Sequence, residues 1–197
     1  MTGTLQAQGL LLTAENLIGA RTPPQSAAPW DLRRATSTAY YALFHQLTRH
    51  GVLAAIPSAT EAEITYASRW FTHTGVLKAA EWTLLASKKN AVARVDREAV
   101  ALLRTPAHPA PPAELGLVAE TFMELQRLRH DADYNAAYIP GDKDTLENVI
   151  GAREAIKATQ DMWRGRKSAR HSQRHLYDSY HRFLHLALLK SGGPKLR

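Results

Sequence analysis

Apolar residues recur along this chain three and four positions apart, and no run alternates apolar with polar residues as a half-buried strand does. That feature restricts the fold to helices packed on helices, an all-α bundle. In residues 4–20, Leu5, Leu10, Leu11, Leu12, Leu17 and Ile18 gather on one side of a first helix. Thr22-Pro23-Pro24 ends it, because proline lacks an amide donor and disfavours helical geometry in the residue before it. Residues 21–30 form a linker. Pro29-Trp30-Asp31 then opens a second helix over residues 31–53, with Asp31 at its positive N-terminal end. Its small residues Ala35, Ser37, Ala39 and Ala42 permit another helix to come close.

Ile56-Pro57-Ser58 breaks that pattern, and Ser58 or Thr60 caps a third helix with Glu61 and Glu63 in its first turn. His73-Thr74-Gly75 reads as punctuation before Val76, Leu77, Ala80, Trp82, Leu84 and Leu85 resume the helical rhythm. A short helix over residues 96–104 leads into the proline-rich connection Thr105-Pro106-Ala107-His108-Pro109-Ala110-Pro111-Pro112. A strong helix follows over residues 114–132, then a turn over residues 133–141 and a long helix over residues 142–165.

Charge is distributed unevenly. Residues 161–197 hold nine Lys or Arg against Asp161 and Asp178, so the whole formal charge of +7 lies there and the rest of the chain is neutral. A basic segment after a neutral body is either an appendage for a polyanion or a solvated, solubilising tail. With 45% hydrophobic residues the chain can build a core. Without cysteine it has neither disulfides nor thiolate metal sites, which fits a reducing cytoplasm. The N-terminus lacks a basic leader region, and no run approaches the roughly 18 apolar residues of a membrane span. A soluble cytoplasmic protein is the expectation.

Two segments carry a resemblance. Arg34-Ala35-Thr36-Ser37-Thr38-Ala39-Tyr40-Tyr41-Ala42-Leu43-Phe44-His45 resembles the S-x-AYYA-x-FH helix of the HEPN superfamily. Leu125-Gln126-Arg127-Leu128-Arg129-His130-Asp131-Ala132-Asp133-Tyr134 is similar to the LR-x-x-ADY form of that superfamily's signature. Between them, His73-Thr74-Gly75-Val76 resembles a short His-containing element. The resemblance spans residues 5–165 and implies a bundle of four to five antiparallel main helices over residues 1–165 that pairs as a homodimer. The basic C-terminal helical extension, residues 166–197, lies outside it. The resemblance further implies defence or toxin–antitoxin biology, with a cognate toxin or antitoxin protein as partner. It also implies cleavage of RNA without a metal, the ribose 2′-hydroxyl acting as nucleophile.

Active members of that superfamily place a His after an Arg with four to six residues between them. Here Tyr134 stands after four intervening residues from Arg129, and His130 is adjacent to Arg129, about 100° round a helix. The candidate catalytic residues are therefore Arg129 for the phosphate, with His130, Asp133 and Tyr134 to handle or orient protons. Arginine suits a phosphate through its permanent charge and bidentate fork, and histidine suits proton transfer through a pKa near neutrality. Ser37, Tyr41 and His45 form a second candidate row, one helical turn apart. Each has a structural alternative. Arg129 and Asp133 can simply pair to hold a helix end, Tyr40, Tyr41 and Phe44 can be packing residues, and His45 a hydrogen-bonded histidine of the partial core. His73 reads as a residue that caps or satisfies the neighbouring helix rather than a metal ligand.

In the tail, Leu176, Tyr180, Phe183, Leu184 and Leu188 form one apolar helical face. It can dock on the body or pair with a partner, while Arg164, Arg166, Lys167, Arg170 and Arg174 are candidate contacts to RNA phosphates. His171/His175 and His181/His185 have metal-ligand spacing but no well-placed carboxylate, so neither a metal nor a cofactor is expected. Phosphate-binding loops, dinucleotide glycine patterns, nucleophile elbows and H-E-x-x-H are absent. Three functions stay open: a metal-independent endoribonuclease, an inactive HEPN module that binds RNA or protein, and a structural helical subunit.

Overall fold

Pro29 at the start of a helix and Asp31 in its first turn begin the element around which the others pack. In the computed structural model this is α2 (Pro29–Ala55), 27 residues and therefore about 40 Å long. The structure describes residues 2–19, 27–88, 93–104, 108–168 and 170–192. The Thr22-Pro23-Pro24 break and residues 105–107 of the proline-rich connection lie outside the described residues. Among the described residues all regular structure is helical and there are no strands. Among the described residues no helix is long and apolar enough to cross a membrane.

The other helices are α1 (Thr2–Gly19), α3 (Glu61–Ala67), α4 (His73–Ser87), α5 (Arg97–Leu103), α6 (Ala113–Tyr134), α7 (Asp142–Arg164) and α8 (His171–Lys190). Three single 3₁₀ turns join them, Ser68–Trp70, Arg94–Asp96 and Gly165–Lys167. Helix α2 lies against α1, α6, α7 and α8 at once. Its Ala35, Ala39 and Ala42 are fully buried, so the small residues sit where neighbouring helices come close. Tyr40, Leu43 and Leu47 from α2 meet Phe122 and Leu125 from α6, Met162 from α7, and Tyr180 and Phe183 from α8 in one continuous core. Each such side chain contributes roughly 1.5–3 kcal/mol by leaving water.

Local signals explain most boundaries. Thr60 caps α3 in a reciprocal box, its hydroxyl accepting the Glu63 amide while the Glu63 carboxylate accepts the Thr60 amide. Helix α4 begins earlier than its apolar rhythm suggests. His73-Thr74-Gly75 forms its first turn, because the Thr72 hydroxyl accepts the Gly75 amide at 3.0 Å and caps the helix there. Gly75 is a packing position rather than a breaker. A β-carbon there would meet Ser191 Oγ and, at 2.9 Å, the Ala187 carbonyl of α8.

Helix α6 runs through Asp133 and Tyr134, two residues past the expected end, which leaves Arg129 and Asp133 on one helical face. In α7 the buried stripe is Val149, Ala152 and Ile156, while Leu146 and Ile150 face outward. Helix α8 buries Tyr180, Phe183, Leu184 and Ala187 against the body and turns its N-terminal basic residues to solvent.

Candidate functional site

Five side chains of α2 stand four residues apart in one oblique row that winds slowly round the helix: Arg33, Ser37, Tyr41, His45 and Arg49. The C-terminal end of α6 lies across the first three. Arg33 secures it, Nε donating to the Ala132 carbonyl at 2.8 Å and Nη1 to those of Ala136 and Tyr138. The last carbonyls of a helix lack partners within it, and a cation there also meets the negative end of the helix dipole.

Ser37 donates to Asp133 Oδ1 at 2.5 Å, and the other Asp133 oxygen lies 2.7 Å from Arg129 Nε. That Nε is buried and makes no aligned hydrogen bond, so the contact is a charge pair without a well-directed N–H. Arg129 Nη2 donates to the Tyr41 hydroxyl at 2.6 Å and, more weakly, to that of Tyr134 at 3.4 Å. The guanidinium also lies 5.3–6.0 Å from the ring centres of Tyr134, Tyr41 and Tyr40. Ser37, Tyr41, Arg129, Asp133 and Tyr134 thus form one connected cluster drawn from two helices.

The histidines divide. His130 is exposed beside the Tyr134 ring, 5.2 Å between centroids, and lines a separate concavity between α4 and α6. That concavity is acidic, with Glu81, Glu120, Glu124 and Asp131 against Arg127. His45 is half-buried one turn beyond Tyr41, and its burial lowers its pKa below the usual value. His73 lies 2.5 Å from the Tyr40 hydroxyl through Nδ1, with its ring 4.2 Å from that of Phe44. Burial lowers its pKa, and the charges of Arg129 and His45 lower it further. Burial raises the Tyr40 hydroxyl well above its ordinary pKa despite Arg129 nearby, so Tyr40 keeps its proton.

Two concavities open on this face. The larger, about 630 Å³, is lined by Trp30, Arg34, Ser37, Tyr41, His45 and Asp133. The second, about 400 Å³, is lined by His45, Thr48, Arg49, Arg69, Phe71 and His73. They share Gln6 and His45. Arg33 is held by carbonyls, Arg49 is held in a two-pronged pair by Glu61, and Asp133 is held by Arg129. Arg34 and Arg69, one in each concavity, make no hydrogen bond or ion pair among the described residues.

The basic residues near the C-terminus occupy a different corner and line neither concavity. Arg164 pairs with Asp161 at 2.7 Å, and Arg166 lies over the Trp163 ring. Lys167, Arg170 and Arg174 are exposed. His175 stacks on His108, with His171 nearby, and His181 lies against His185. Among the described residues no group of three or more His, Cys, Asp or Glu side chains is arranged to hold a metal ion.

No protein-family model, curated protein or solved structure matches this chain.

Sequence reasoning did not single out Trp30, Arg33, Arg34, Arg49 or Arg69. For Arg33 and Arg49 a signal was present, since they extend the Ser37-Tyr41-His45 row by one turn at each end. Arg69 enters only through the tertiary fold.

Proposed function

We propose that this chain is an RNA-acting protein of the HEPN type, a dimeric, metal-independent endoribonuclease of cytoplasmic defence or toxin–antitoxin systems. The observation that supports this most is the meeting of the two resembling segments: Tyr41 from one and Asp133 and Tyr134 from the other converge on Arg129. In this reading Arg129 exchanges its tyrosine contacts for the scissile phosphate, and Asp133 keeps its fork in register. The ribose 2′-oxygen bonds to phosphorus as the bond from phosphorus to the 5′-oxygen breaks. The 2′-hydroxyl loses its proton to a base, and the departing 5′-oxygen gains one.

Tyr134 stands where the resemblance would have histidine, and His130 lines the acidic concavity on the other side of α6. His45 is the better proton acceptor. It borders the larger concavity beside Tyr41, and burial lowers its pKa, which favours the neutral form that accepts a proton.

The test is RNA cleavage by the purified protein in excess chelator, beside Arg129→Ala. Cleavage by the parent that is lost in a folded Arg129→Ala protein is the expected result. Equal cleavage by both removes the site assignment.

A second reading is an inactive HEPN module that binds RNA or a partner protein such as a cognate antitoxin or toxin. It is favoured by the existing contacts of Arg129, which is already paired with Asp133 and bonded to Tyr41. A folded parent protein that binds RNA or forms a stable complex but never cleaves supports this reading over the first.

A further inference from the structure

Three surfaces of this molecule offer something to a polyanion or must refuse one, and their charges differ. The concavity beside His130 presents four carboxylates and one arginine, which repels phosphate. The C-terminal basic corner has exposed cations that line neither of the concavities meeting at His45, and Arg164 is already paired there. The two concavities that meet at His45 each carry one arginine without a partner among the described residues, Arg34 and Arg69. The larger also carries Trp30, 72% exposed at the start of α2. Packing among the described residues covers little of this indole, and next to an unpaired cation it forms the combination that holds an unpaired base and its phosphate.

We infer that a single-stranded stretch of RNA lies along α2, one base stacked on Trp30, with phosphates at Arg34 and Arg69 on either side of His45. This deepens the RNA-acting reading above and rests on it. The line from Trp30 to Arg49 covers 19 helical steps, about 28 Å, so it takes several nucleotides rather than one. Volumes of about 630 and 400 Å³ are of the size that encloses a small molecule, so each arm admits a nucleotide but not a duplex. A base must leave its stack and its pair to lie on Trp30, which gives the groove its preference for single strands. His45, bordering both arms, then faces the middle of the bound strand, and cleavage there is internal.

The test is fluorescence anisotropy with a labelled 12-nucleotide RNA of mixed sequence, 2′-O-methylated throughout so that it cannot be cut, and with its duplex. The parent protein is compared with Trp30→Ala, Arg34→Ala, Arg69→Ala and the corner variant Arg170→Ala/Arg174→Ala. All these side chains are exposed, so unchanged thermal melting is the control for folding. Trp30→Ala is expected to weaken single-strand binding about tenfold and to leave duplex binding unchanged. Arg34→Ala and Arg69→Ala are each expected to reduce the salt dependence of binding by about 0.7 in the log–log slope.

A parent protein that binds, with these three variants equal to it, overturns the inference and leaves the RNA-acting reading standing. Loss of binding confined to the corner variant does the same and moves the RNA to α8. A duplex bound as tightly as the single strand, with the same loss in Trp30→Ala, also overturns it. A parent protein that binds neither probe removes both readings together.

Discussion

Ser37 on α2 donates a hydrogen bond to Asp133 on α6 across 96 positions of sequence, and Asp133 in turn faces Arg129. The pair therefore links the stability of the α2–α6 contact to the orientation of the arginine.

A double-mutant cycle measures that link. Ser37→Ala and Asp133→Ala are each expected to destabilise the fold by about 1 kcal/mol, with a coupling of about 0.5–1.5 kcal/mol between them. Chemical denaturation of the two single variants and the double variant gives the coupling directly. Strict additivity would show that the hydrogen bond does not hold the two helices together.

Acid is expected to weaken the fold through His50. This residue is sealed between Gln46, Tyr180 and the Trp163 ring, and its pKa is lowered to about 3 by burial and by the charge of Arg49. Unfolded, it takes up a proton near pH 6.5. Between these values the unfolded chain binds one more proton than the folded one. The stabilisation is thus complete above about pH 6.5 and declines as pH falls, about tenfold in the folding equilibrium per pH unit from this residue. His45, His73, His175 and His185 have lowered values too and act with the same sign. Denaturation between pH 4.5 and 6.5 should show one proton less of pH dependence in His50→Gln than in the parent, and an unchanged slope would contradict the assignment.

Glycines at two helix positions should respond in opposite directions. Gly75→Val pushes a side chain into the Ala187 carbonyl of α8, which cannot rotate away, so a loss of about 1–3 kcal/mol is expected. Gly9, on the exposed side of α1, has nothing within 4 Å of a new β-carbon, so Gly9→Ala should stabilise by up to about 1 kcal/mol through helix propensity. Thermal melts of both variants check this, and a stabilised Gly75→Val protein would mean that α4 and α8 do not pack as described.

The basic corner and α8 have to be tested separately. Removing residues 171–197 takes Tyr180, Phe183 and Leu184 out of the core and is expected to abolish cooperative unfolding. Arg164→Ala/Arg170→Ala/Arg174→Ala, all at exposed positions, should melt within a few degrees of the parent. A truncated protein that still unfolds cooperatively would show that α8 is dispensable to the fold.

Local chemistry made much of this legible beforehand. Pro29 and Asp31 mark the start of α2, Thr60 and Glu63 form a capping box, and the small residues of α2 lie at helix contacts. The spacing of Arg129 and Asp133 anticipates their pairing, and the Tyr41-His45 row anticipates one wall of the larger concavity. What stayed hidden depends on which neighbour arrives. His73 reads as punctuation until Thr72 is seen to cap its turn and Tyr40 to bond its ring. Leu146 and Ile150 satisfy a helical apolar rhythm as well as Val149 does, and only the position of the other helices decides which of them is covered. His130 and Arg129 are neighbours in sequence, yet a helix turns them toward different surfaces.

Arg33, Ser37, Tyr41, His45 and Arg49 share one oblique row only because they are counted in fours along an unbroken helix. A single residue inserted near position 39 would leave every amino acid of the row present and rotate those after it by about 100° relative to Arg33 and Ser37. The clamp on α6 and the imidazole between the two arms would then lose their present relation to each other. The information in this row is phase rather than composition, so its descendants can exchange side chains along it far more freely than they can gain or lose one.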